Sequence, residues 1–192
     1  MKELLTLLSA GLILLAAPPY IIDTVKGKTR PERITWLIFS ILGIIAFVSQ
    51  LSLGGTWSLV FSGMDTLASI MVFILSLRFG VGGFTRLDIS ALFIATVGVL
   101  IAIIAKQPII SITGVILADL SGAALTVRKT YLQPKSETMI SWLLVGTASL
   151  LGVLTVGKVS LGLLMYPVYL MLVNYSVPVA ALLGTRRMKV AK

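Results

Sequence analysis

Two carboxylates sit where water is scarce. Asp65 falls near the middle of an apolar run at 57–77, and Asp119 near the middle of another at 108–127. An acid at such a position costs about 2.5–3.5 kcal/mol on the translocon scale, so each is expected to face a bundle interior or a wet cavity. The chemistry open to them is proton exchange or attraction of a cation. The alternative is a structural hydrogen bond to a neighbouring helix. Ser62, Asp65 and Ser69 fall at i, i+3 and i+7, one polar stripe on one helix face. Asp119 is followed closely by Ser121 and Gly122. Asn174 lies inside the run 160–184, where its amide offers two donors and two acceptor sites to hydroxyls or amides of a neutral solute. It can also simply glue two helices. Tyr166 and Tyr169, beside Pro167, either line a cavity or pack as ordinary aromatics. The expected solute site is therefore Asn174, Asp65, Ser69, Asp119 and Tyr166, with Asp65 and Asp119 as the proton-coupling pair.

Other chemistries lack their residues. The chain has no His and no Cys, which removes the commonest metal ligand, the commonest neutral-pH base and every thiolate. There is no Gly-framed nucleophile motif. No metal, cofactor or enzymatic activity is expected.

The elements that must position these residues are helices in a membrane. The chain of 192 residues is 57% hydrophobic and 12% charged, about half the charge of a soluble domain; its mean hydropathy is +1.05. Seven runs approach the roughly 20 apolar residues that cross the hydrocarbon core: 3–22, 34–53, 57–77, 89–105, 108–127, 139–157 and 160–184. The first can alternatively be read as a cleaved signal peptide, with Leu14, Leu15, Ala16 and Ala17 leading to a small-residue site. With seven spans, one face carries the loops at 23–33, 78–88 and 128–138 and the tail. Those hold Lys26, Lys28, Arg30, Arg33, Arg78, Arg86, Arg128, Lys129, Lys135, Arg186, Arg187, Lys189 and Lys192, against Lys2, Lys106 and Lys158 on the other face. That bias puts the N-terminus outside and the C-terminus in the cytoplasm, in a bacterial or archaeal cell membrane. The net charge of +9 is thus assigned to topology and anionic lipid, not nucleic acid. Asp23 is expected to pair with Lys26 or Arg128, and Trp36, Trp142 and Trp57 to mark the interfacial belts.

One further pattern organises the whole. Residues 29–36 (Thr29, Arg30, Pro31, Glu32, Arg33, Ile34, Thr35, Trp36) and 135–142 (Lys135, Ser136, Glu137, Thr138, Met139, Ile140, Ser141, Trp142) are both polar loops ending in Ile, a small hydroxyl and Trp. An offset of 106 maps spans one to three onto five to seven and leaves span four over. The expected fold is all-α: two parallel three-helix repeats, residues 1–86 and 107–192, joined by a linker helix at 87–106 (3+1+3).

At this point the chain resembles the PQ-loop and SWEET (MtN3-like) superfamily of seven-helix transporters. Pro18, Pro19 and Tyr20 occupy the first motif site, followed by Lys28, Thr29 and Thr35; Lys135, Ser136 and Ser141 keep the spacing in the second half. Thr126 and Val127 stand where the second Pro-Gln pair would be, and neither half has the Gln. The resemblance implies alternating access of one half against the other, with Pro18, Pro19, Pro167 and Pro178 as hinges. The function expected is transport of a small polar solute, either facilitative or coupled to protons. The alternative is a non-transporting membrane scaffold or accessory subunit. A homo-oligomer is compatible with either.

Overall fold

The computed structural model describes residues 2–52, 57–83, 85–155 and 161–190, and the side chains of all of these except 2, 49–52 and 57–62. Trp57 and Ser62 therefore have no described side chain. The chain is all-helical: seven α-helices are present among the described residues, α1 (Lys2–Val25), α2 (Arg33–Ser52), α3 (Trp57–Phe79), α4 (Arg86–Ile104), α5 (Pro108–Leu132), α6 (Met139–Thr155) and α7 (Leu161–Val190). Four of them, α1 from Glu3 onward, α4, α5 and α7, are long and apolar enough to cross a membrane. The described stretches Arg33–Val48 and Met139–Thr155 are shorter apolar helices. Large side chains such as Leu7, Leu67, Phe93, Ile104 and Leu182 are well exposed. An apolar exterior of this extent is compatible with a hydrocarbon surround.

The helices run past the ends of their apolar runs. α5 continues through Arg128 and Lys129 to Leu132, and α7 through Arg186 and Arg187 to Val190. Arg and Lys are good helix formers, so hydropathy stops before the helix does. α7 is also continuous through Pro167 and Pro178, and α1 through Pro18 and Pro19.

Local sequence sets the helix ends. At the end of α1, Gly27 takes φ +70, its N–H bonding Thr24 O and the Lys28 N–H bonding Asp23 O. This is a Schellman closure, and a left-handed glycine is what it requires. Thr85 and Asp88 form a reciprocal capping box at the start of α4. Arg33 closes α3 from outside: its guanidinium donates to the carbonyls of Ser76 and Gly80, both at 3.0 Å, and to that of Gly82. A cation at a helix C-terminus satisfies orphan carbonyls and complements the dipole.

Packing is ordered simply. α3 touches both α1 and α2; α7 touches both α5 and α6. α1 also packs on α6, α2 on α5, and α4 on α5 and α2. The loops 26–32, 80–85 and 133–138 and the C-terminal part of α7 gather at one end, tied by Arg30 N to Ser136 O at 2.9 Å and Arg33 N to Val81 O at 3.0 Å. That end carries most of the basic residues.

The α4–α5 contact is close. A Cβ built on Gly98 would lie 2.6 Å from Gly114 O, and one on Gly114 would lie 2.5 Å from Gly98 O. Without side chains the two backbones pack directly, as small residues permit between apolar helices. Gly114→Val is expected to lower stability by about 3 kcal/mol through forced separation, read as a lower melting temperature in detergent. An unchanged melting temperature would show that α4 moves aside freely.

Candidate functional site

Asp119 finds an aromatic partner. Tyr169 of α7 donates to Asp119 Oδ2 of α5 at 2.5 Å, and Asp119 is buried. Tyr166 stacks on Tyr169 with ring centroids 6.3 Å apart, one helical turn earlier. Asp65 lies on α3, which among the described residues packs against α1 and α2 and not against α5 or α7. Asp65 is exposed. One carboxylate and two phenols, from α5 and α7, therefore share one neighbourhood.

The rest of the expected set is looser. Ser69 is buried on α3, one turn beyond Asp65. Asn174 is buried too, but its Nδ2 donates to Leu170 O of its own helix at 2.8 Å. It sits five residues past Tyr169, roughly 7.5 Å along the axis, so half of its donor capacity is spent away from Asp119. Two concavities of about 420 and 170 Å³ include none of Asp65, Ser69, Asp119, Tyr166 or Asn174.

A second constellation lies at the basic end, and the spacing of residues did not announce it. Lys129 and Glu137 form an ion pair with side chains 7% and 0% exposed. Glu137 Oε1 also accepts from Tyr20 at 3.2 Å, and Oε2 from Trp142 Nε1 at 2.8 Å. Trp36 Nε1 donates to Tyr20 at 3.1 Å, and Lys129 Nζ donates to Arg30 O at 2.6 Å. The carboxylate has three donors, so the buried charge is neutralised and solvated by protein. Trp36, Trp142 and Tyr20 form a triangle of rings, the two indoles 6.4 Å apart and Tyr20 4.9 and 6.3 Å from them. Each indole N–H is bonded inward.

The expectation for Asp23 is corrected. Its Oδ2 accepts from Thr138 Oγ1 at 3.1 Å, and Thr138 Oγ1 lies 2.5 Å from Thr29 Oγ1. Among the described residues it makes no ion pair with Lys26 or Arg128. The α1 terminus turns Asp23 toward the loop before α6, while Lys26 lies past the last helical residue. A third tie joins α2 to α5: Thr35 Oγ1 sits 2.9 Å from Glu32 Oε2 and 2.5 Å from Gly122 O, and receives Thr126 Oγ1 at 3.0 Å.

Asp23 and Lys129 occupy equivalent places under the 106-residue offset. Each ends a helix, and each reaches across: Asp23 to Thr138 before α6, Lys129 to Arg30 before α2. That exchange was the available signal. It was hidden because Lys129 reads as one more basic loop residue and Glu137 as loop polarity.

Glu32 is buried at this end, with Oε2 accepting from Thr35 N at 2.6 Å and Oε1 unpartnered. Burial pushes its carboxyl above the usual carboxylate range; the bonds from Thr35 oppose this and the Asp88 charge adds to it. The folded chain thus holds the proton more tightly than the unfolded one. Stability is full below the unfolded value and falls as pH rises through the folded value. Melting temperature is expected to drop across that window, and Glu32→Gln to flatten the drop while keeping an acceptor for Thr35. Parallel profiles for the two chains would remove Glu32 as the cause.

Among the described residues no group of three or more Asp or Glu side chains is placed to hold a metal ion. Set against family models, curated proteins and solved structures, the chain matches none of them.

Proposed function

We propose that this chain is a membrane transporter of a small polar solute, working by alternating access between two parallel three-helix halves and coupled to protons. The observation that carries the proposal is the buried Asp119, bonded by Tyr169 with Tyr166 stacked beside it on α7. Ionisable groups at that depth are expensive and are kept where they move protons or bind a solute. The phenols supply donors to a carboxylate and faces to a polar or cationic solute.

Several features support two equivalent halves. Adding 106 to Lys2–Val25 gives 108–131, against Pro108–Leu132; adding it to Arg33–Ser52 gives 139–158, against Met139–Thr155; adding it to Trp57–Phe79 gives 163–185, against Leu161–Val190. In each triplet the third helix bridges the other two. α4 is the remainder, which makes the halves parallel. The likeness to PQ-loop and SWEET carriers points the same way, by analogy of fold. Under the positive-inside rule the basic end is cytoplasmic.

In this scheme the cross-half bonds of Lys129, Glu137, Tyr20, Asp23, Thr138 and Thr29 close the cytoplasmic side, and they must part once per cycle. The chain contains no Cys, so paired cysteines can be introduced without background. Thr29→Cys with Thr138→Cys places two sulfurs where hydroxyls now stand 2.5 Å apart, a separation that a disulfide spans. Oxidation in proteoliposomes is expected to stop solute uptake, and a reductant to restore it. Uptake that continues through a fully formed cross-link would refute alternating access here. A stoichiometric co-purifying partner with no uptake of any solute would favour the scaffold alternative.

A further inference from the structure

The larger of the two concavities, about 420 Å³, is open at the basic end where the loops of the two triplets meet. Its wall carries Lys28 and Arg30 from the loop after α1, and Lys135 and Ser136 from the loop after α5, with Leu132 and Met188 as apolar flank. No carboxylate lines it, and among the described residues none of the three basic side chains lies within ion-pair distance of an acid. The floor is rigid: the Schellman turn fixes Lys28, and Arg30 N bonds Ser136 O. Ser136 Oγ is buried in that wall without a hydrogen-bond partner. Three uncompensated cations lining one pocket, with an unspent hydroxyl buried in its wall, match the needs of a phosphate group.

We infer that this pocket binds the phosphate of an anionic phospholipid headgroup, bridging the two triplets at the cytoplasmic surface. The choice of a lipid follows from placement. The pocket lies at the ends of α1, α5 and α7, where a membrane-spanning bundle meets the headgroup layer, and its flank is apolar where a glycerol backbone would rest. The inference rests on the chain lying in a bilayer and not on transport.

The test is native mass spectrometry of the detergent-solubilised full chain, titrated with phosphatidylglycerol, phosphatidylcholine or inorganic phosphate. One phosphatidylglycerol is expected to stay bound where phosphatidylcholine does not. At roughly fivefold per basic group, the triple variant Lys28→Gln, Arg30→Gln, Lys135→Gln is expected to weaken binding about a hundredfold. Ser136→Ala is expected to weaken it severalfold. The control triple Arg78→Gln, Arg86→Gln, Arg186→Gln removes equal charge outside the pocket and is expected to change binding little. Equal losses in both triples would overturn the site in favour of diffuse attraction. Capture of inorganic phosphate with no preference for the anionic lipid would overturn the lipid assignment. Melting temperature without lipid is read for each variant; should the pocket triple not fold, the exposed single change Lys28→Gln decides, with loss expected and unchanged binding overturning the site.

Discussion

Lys129→Met is expected to destabilise the chain by about 3–5 kcal/mol, the cost of stranding a buried charge. Glu137, fully buried, would keep Tyr20 and Trp142 as donors but lose its counter-ion. The reverse change, Glu137→Gln, strands the ammonium instead and is expected to cost a similar amount. Gln still accepts from Trp142, so the loss isolates charge from hydrogen-bond geometry. The double variant Lys129→Met, Glu137→Gln removes both charges and is expected to cost no more than one single change, because groups in direct contact do not add. Unfolding in mild detergent, followed by intrinsic Trp fluorescence, reads all three. Trp36 and Trp142 sit in the same cluster, which makes the probe local as well as global. Singles within about 0.5 kcal/mol of the parent would place the pair among weak surface ion pairs and contradict its burial.

Asp119→Asn is expected to reduce proton-driven uptake at least tenfold while leaving the fold intact. Asn keeps an oxygen for Tyr169 at nearly the same place, so packing between α5 and α7 survives. What goes is the site that gains and loses a proton. A charge-assisted bond is worth roughly 1.5–3 kcal/mol, and every 1.4 kcal/mol is tenfold, so the loss is read as a rate rather than a shift in melting temperature. Tyr169→Phe removes the hydrogen bond to Asp119 but leaves the carboxyl group, and should reproduce only part of the effect. The discriminating measurement compares uptake with and without an imposed pH gradient. Parent chains should respond to the gradient and Asp119→Asn chains should not. A mutant that still follows the gradient would assign the coupling elsewhere and leave Asp119 a structural residue.

These two expectations come from sites that differed in how readable they were. The interior acids stood out because a carboxylate inside an apolar run has a large solvation cost, and cost is visible in one dimension. Asp65 and Asp119 were paired on that ground, and the structure adds Tyr169 as the direct partner of Asp119. Asn174 stood out by the same rule, yet it bonds its own backbone, since an amide in a helix can always spend a donor four residues back. Lys129 and Glu137 gave no such signal. They lie outside the apolar runs, where charge is ordinary, and only the approach of two loops buries them.

Composition alone pointed to an all-helical, apolar chain with its basic charge at one end, and the described residues form such a chain. Those properties follow from transfer free energy, which sums residue by residue and needs no knowledge of neighbours. The folded chain decided which helices touch, that Trp36 and Trp142 turn inward on Tyr20, and that Asp23 and Lys129 each reach across to the opposite loop. These depend on pair contacts between residues a hundred positions apart, and such contacts leave no local trace until the chain closes on itself.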